Sequence, residues 1–160
     1  MGSVYTIPKG KHRAKGLHIG LHFTQSFVWS VTFDESARYS IGANQGDINK
    51  LCGIRYFGGD YSARFGWRYV QGQVEIMAYV HDSGVVTKSD KEVIITRIGL
   101  NKASMLTLDV EDDHYMFRVE QSKATVPKTH SKSISFKQNP YFGGVKTAPH
   151  DIRVKLKRLK

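Results

Sequence analysis

Two stretches of the sequence place long polar side chains on either side of a glycine at strand spacing. In GLHIGLHF, residues 16–23, Leu17, Ile19, Leu21 and Phe23 fall on one face of an extended chain and His18, Gly20 and His22 on the other. SARFGWR, residues 62–68, repeats the arrangement, with Ala63, Phe65 and Trp67 opposite Ser62, Arg64, Gly66 and Arg68. Glycine inside a strand often marks close approach by a ligand or another backbone. Side by side, the two strands would form a groove floored by glycine and walled by His18, His22, Arg64 and Arg68. Such a groove suits an anionic or sugar-like ligand, because guanidinium bonds carboxylate or phosphate in bidentate fashion. The alternative is a pair of ordinary solvent-facing strands in which glycine accommodates a bulge. His18 and His22 lie ~13 Å apart along a strand, too far to share a metal ion.

Other chemistries leave no trace. There is no Gly-x-Ser-x-Gly nucleophile motif and no phosphate-binding glycine loop ahead of a helix. No spaced carboxylate pair argues for glycoside hydrolysis. The acidic turn at Asp109, Glu111, Asp112 and Asp113 lacks the ligand spacing of an EF-hand. A single cysteine, Cys52, supplies neither a disulfide nor a CxxC zinc site, so no metal or cofactor is expected. The adjacent His150 and Asp151 point to opposite faces if extended, which favours a local structural role.

The elements that must position these residues have a period of two. Phe27, Trp29, Val31 and Phe33 alternate with Val28, Ser30 and Thr32, and Val74, Ile76, Ala78 and Val80 with Glu75, Met77, Tyr79 and His81. Val70-Gln71-Gly72-Gln73 is a short hairpin signal joining two such strands. Further strands are predicted at 92–98, 104–110, 114–119, 124–126, 133–137 and 152–156, with single helical turns at 34–40 and 46–51. YFGG occurs twice, at 56–59 and 141–144. Each copy reads as a glycine turn feeding a strand, with its Phe available to plug a core. The fold class expected is all-β, an antiparallel β-sandwich of jelly-roll type. The 160 residues form one domain, with residues 1–16 a basic arm or an edge strand at Val4 to Ile7 that Pro8 ends.

The net charge of +10 is concentrated at the ends. Lys9, Lys11, Arg13 and Lys15 form one run, and Arg153, Lys155, Lys157, Arg158 and Lys160 another. Without these nine, 15 of the 24 basic residues face 14 acidic ones. Basic ends favour an anionic polymer, such as nucleic acid or an acidic glycan, or an acidic protein surface; a solvated basic edge that prevents strand pairing is the alternative. Most aromatics fall on core faces, so stacking platforms for single-stranded nucleic acid are not evident. No apolar run is long enough for a membrane helix and no signal-peptide pattern opens the chain, so an intracellular or virion setting is expected.

NKLCG (residues 49–53), SARFGWR, the hairpin into VEIMAYV and the closing YFGGVKTAPHDIRVKL together resemble small proteins of the concanavalin A-like jelly-roll type. That type includes lectin-like domains, polysaccharide lyases and uncharacterised bacterial and phage proteins. The resemblance implies that a lyase would neutralise a uronate with Arg and bind it with Gln, leaving proton transfer to His and Tyr. Those roles map onto Arg64 or Arg68, His18 or His22, and Tyr79, but the Gln-x-His element of a central strand is absent. The leading expectation is therefore a non-enzymatic binding or assembly module, either a virion structural protein or a carbohydrate-binding module. Its basic segments would dock on an anionic partner within a larger assembly or homo-oligomer. The alternative is a polysaccharide lyase acting on an acidic glycan.

Overall fold

The computed structural model describes residues 2–15, 20–22, 24–82, 85–86 and 93–160, without the side chains of His22, Val85 and Val86. In chain order the strands are β1 (Ser3–Ile7), β2 (Leu21–His22), β3 (Ser26–Phe33), β4 (Asn49–Tyr56), β5 (Ser62–Val70), β6 (Gln73–Asp82) and β7 (Val85–Val86). There follow β8 (Ile94–Ile98), β9 (Ser104–Val110), β10 (His114–Val119), β11 (Ser122–Pro127), β12 (Ser135–Gln138) and β13 (Ile152–Arg158). They form two antiparallel sheets. One has the order β1-β13-β3-β9-β10-β11. The other runs β2-β12-β4-β5-β6-β7, with β8 also paired to β6. This is the antiparallel jelly-roll sandwich that the alternating pattern predicts, of the concanavalin A-like type that the resemblance implies.

The inner faces meet in an aromatic core. Trp29 of β3 meets Phe65 of β5 edge-on at 6.2 Å, Phe65 meets Phe117 of β10 at 5.1 Å, and Phe33 tilts against Trp67 at 4.8 Å. Such contacts add to the area each ring removes from water. β3 keeps strict alternation, Phe27, Trp29, Val31 and Phe33 being buried. The β5–β6 hairpin turns through Gln71 and Gly72, both left-handed at φ 51° and 82°, and pairs Arg68 with Glu75 and Arg64 with Tyr79. β1 pairs with the closing β13 at the edge of its sheet, Ser3 opposite Leu156 and Ile7 opposite Ile152.

β4 departs from expectation. A helical turn was predicted over residues 46–51, whereas a 3-10 turn lies at Gly42–Asn44 and a strand begins at Asn49. β4 is buried on both faces along most of its length, and a register shift falls between Lys50 and Cys52, so the alternation that identifies a strand is lost. The other predicted turn, over 34–40, contains the 3-10 helix Glu35–Ala37, capped by the Asp34 carboxylate accepting from Ser36 N–H at 2.8 Å.

The two YFGG copies share a backbone state and invert their burial. Gly58 and Gly143 are both left-handed at φ 72°. Tyr56 is buried and Phe57 is 66% exposed; in the second copy Phe142 is fully buried and Tyr141 half-buried. Only Phe142 plugs the core. A Cβ at Gly58 would meet nothing closer than Lys132 Nζ at 3.4 Å, while one at Gly143 would overlap the Lys146 carbonyl oxygen. Gly58→Ala is therefore expected to cost about 1 kcal/mol, the left-handed penalty alone. Gly143→Ala should cost ~3 kcal/mol or more, because the backbone must also shift. Denaturant unfolding of the two variants reads the difference, and equal losses would contradict it.

Candidate functional site

A groove of about 790 Å³ lies on the outer face of the seven-stranded sheet, over β4, β5, β6 and β12. Its position follows from alternation: Ala63 and Phe65 enter the core, so Arg64 between them faces out, and Tyr79 and His81 flank the buried Val80 in the same way. Arg64 and Tyr79 are direct cross-strand partners, with the guanidinium carbon 5.2 Å from the ring centroid. Lys50 enters from β4, its Nζ 4.9 Å from the Tyr79 ring and 5.5 Å from that of Tyr141. The Lys50 ammonium also donates to the Gly143 carbonyl at 3.2 Å.

Tyr141 forms the facing wall. Its backbone bridges to both Lys50 and Arg13, and its ring stacks on His12 at 5.1 Å. The next residue, Phe142, meets Tyr39 edge-on at 4.9 Å, and Gly143 N–H donates to Asn49 Oδ1 at 2.5 Å. The wall is thus pinned to the core one residue away from the groove.

The electrostatics are one-sided. Arg13, Lys50, Arg55, Arg64 and Lys137 line the groove, and among the described residues no Asp or Glu does. Asp60 stands at one end, with Oδ1 3.8 Å from Arg55 Nη2 and Oδ2 3.4 Å from His81 Nδ1. Burial lowers the Lys50 ammonium to about 8, assisted by the neighbouring Arg64 charge. Burial likewise lowers Arg64, whose Nε is enclosed without a hydrogen-bond partner among the described residues. Asn139 Oδ1, also in the lining, is a second enclosed atom without a partner. His81 is lowered first by burial and further by the Arg64 and Lys50 charges, against the opposing bond to Asp60. It is neutral at pH 7, and with Asp60 accepting from Nδ1–H its Nε2 is left as an acceptor, 3.2 Å from the Tyr79 hydroxyl.

The residues singled out from sequence take different places. Arg64 and Tyr79 meet in the groove. Arg68 shares their sheet face, but its Nε donates to Glu75 at 2.5 Å and its Nη1 to the Gly46 carbonyl at 3.1 Å. His18 lies outside the described residues. His22 sits on β2 opposite Ser135, with β12 and β4 between it and β5, and its side chain lies outside the description. The strand glycine Gly66 does not floor the groove: a Cβ on it would overlap Ile48, so it admits the protein's own loop. His150 Nε2 contacts the Ser36 carbonyl at 2.8 Å and Asp151 accepts from Lys9 N–H at 2.8 Å; both are structural contacts with backbone, as expected, but to segments 114 and 142 residues away in sequence and not to local backbone.

The basic ends divide. Arg13 joins the groove, while Lys9, Lys11 and Lys15 are exposed on the adjoining loop. Arg153 pairs with Asp34 at 3.0 Å, Arg158 lies 5.3 Å over Phe27, and Lys155 and Lys157 project from β13 on the other sheet. Sequence reasoning missed Lys50, Arg55, His81 and Tyr141. Tyr79-Val80-His81 has the spacing of the absent Gln-x-His element with Tyr in the first place, a signal that a search by residue identity passes over.

No protein-family model matches the chain, and no curated protein sequence does. Similarity appears among solved structures. The alginate lyase AlyC3 superposes with a TM-score of 0.60 and 15% identity, covering 99% of this chain and 75% of that one. The alginate lyase vAL-1 from Chlorella virus gives 0.59 and 14%, covering 98% and 82%. AlyC3 in complex with dimannuronate gives 0.58 and 13%, covering 99% and 75%. At these identities the likeness establishes the jelly-roll fold. It also corrects the leading functional expectation. The neighbours are enzymes that act on an acidic glycan, not virion or assembly proteins, and they favour the lyase alternative over a non-enzymatic module.

Lys50 provides a test of the site's electrostatics. Its folded value of about 8 lies below the ordinary 10.5, so between these pH values the unfolded chain holds a proton that the folded chain does not. Stability attributable to Lys50 therefore rises with pH across that window. Lys50→Met should raise Tm at pH 7 by about 2–4 °C, the shift ~1 kcal/mol gives a domain of this size. It should also remove the rise between pH 8 and 10.5. Calorimetry at several pH values decides it, and a lower Tm for the variant at pH 7 would contradict the burial argument.

Proposed function

We propose that this protein is a polysaccharide lyase that cleaves an acidic glycan in the groove by β-elimination. The observation that carries the reading is Arg64. A guanidinium half-buried beside a second cation, with no carboxylate among the described lining residues, is costly unless an anion completes it. A uronate carboxylate is such an anion.

The chemistry follows from the geometry. Arg64 and Lys50 hold the carboxylate, so the charge that spreads onto it as the neighbouring C5 proton departs is stabilised. The Tyr79 hydroxyl oxygen takes that proton as its own passes to Nε2 of the neutral His81, 3.2 Å away. The electron pair forms the C4–C5 double bond as the C4–O bond breaks, and the Tyr141 phenol donates a proton to the departing oxygen. Tyr79, between Lys50 and Arg64, aligns both cations and bonds His81. The bond to Asp60 orients the imidazole. The products are a shortened glycan and one with an unsaturated, ultraviolet-absorbing end.

Mixing the protein with polymannuronate, polyguluronate and other polyuronates should raise ultraviolet absorbance for at least one of them. Arg64→Ala should lower kcat/KM by about 10²-fold or more, and His81→Ala by a similar factor. Because His81 titrates below the ordinary 6.5 and must be neutral to act, the acid limb of the pH–rate profile should fall below that value. An absorbance trace that stays flat across the panel would sink the reading, as would an Arg64→Ala variant as active as the parent.

A further inference from the structure

The groove ends in chemistry that carboxylate recognition does not need. Phe57 is 66% exposed and Leu21 57%, and both line the groove together with Phe136. The two phenyl rings meet edge-on at 6.2 Å. Ile134, 47% exposed, lies against the same loop, its carbonyl accepting from Phe57 N–H at 3.0 Å.

This exposure is built into the backbone. Tyr56 N–H bonds the Tyr61 carbonyl at 2.9 Å, Phe57 N–H is fixed to β12's approach at Ile134, and Gly58 turns left-handed directly afterwards. With Tyr56 locked into the core, alternation leaves Phe57 no position except outward. Burying a phenylalanine is favourable, a gain that this loop forgoes at the mouth of a cationic groove. A contiguous apolar patch of this kind marks a binding surface.

We propose that Phe57 and Phe136 form an outer glycan subsite, in which the apolar C–H face of a pyranose ring stacks on the exposed phenyl while its neighbours along the chain engage the cations. The occupant is a sugar ring because the patch is continuous with the groove. A pyranose also joins an apolar face, which fits the rings, to a polar rim within reach of Arg55 and Lys137. The proposal rests on the glycan reading of the groove and extends it. The centre reads charge, the end reads ring shape, and the ligand is an acidic glycan longer than the unit held at Arg64.

The test is binding of polymannuronate to the full chain by titration calorimetry in low and in high salt. Screening weakens the cationic centre and leaves stacking largely intact. The parent protein should retain measurable affinity in high salt. Phe57→Ala should bind about tenfold more weakly, a loss of ~1.4 kcal/mol, at both salt concentrations. Phe57→Trp should restore binding and report it, since the native Trp29 and Trp67 are buried and a fluorescence change on adding polymer would come from position 57. A Phe57→Ala variant with parental affinity, or a Trp at 57 whose emission ignores the polymer, overturns the proposal. Binding that depends on Phe57 without any unsaturated product would support the subsite and reject the lyase reading. Product formation with affinity indifferent to Phe57 would do the reverse.

Discussion

The edge-on packing of Phe65 against Trp29 and Phe117 fixes everything on the other side of β5. With Phe65 held in the core from two directions, its neighbour Arg64 has one direction left, and a slip of one residue would invert every side chain on the strand. The Gln71-Gly72 turn then sets the register of β6 against β5, and with it which side chain confronts each arginine. The floor of the groove is therefore a consequence of core packing plus one hairpin register, and the irregular segment at Tyr141 supplies its wall.

That register separates two arginines that look alike in sequence. Arg68 faces Glu75, a buried carboxylate that also accepts from Arg97 Nε at 3.1 Å, and its charge is consumed within the sheet. Arg64 faces Tyr79, which offers a ring surface and no negative charge. Lys50 adds a second desolvated cation to the same ring. The protein thus neutralises one end of the sheet face internally and leaves the other in want of an anion, the arrangement expected where stability is traded for binding.

How much was legible follows from the same geometry. The alternation is strict in β3 and β13 and holds for the apolar inner face of β5 and β6, so the sandwich could be read from sequence, and Arg64 with Tyr79 could be placed on an outer face. The hairpin signal at 70–73 also implied that Arg68 opposes Glu75, a deduction available from counting outward from the turn. β4 was hidden because burial on both faces erases alternation, and Lys50 was hidden with it. Tyr141 comes from an irregular segment whose contact with β4 spans more than 90 residues of sequence, and no local pattern encodes it. His81 was visible at the right spacing but beside an unexpected residue. The functional expectation failed for a related reason: with the groove's walls missing, the charge at the chain ends carried too much weight.

Tyr141 and Phe142 divide one short segment between two environments, the first facing the groove and the second sealed among Tyr39 and Trp67. Adjacent side chains of an extended backbone cannot move independently, so the phenol is in effect mounted on a core residue. Evolutionary drift in the packing around Tyr39 would then register as a displaced groove wall before it registered as unfolding, and the interior of this sandwich would answer to the shape of its surface.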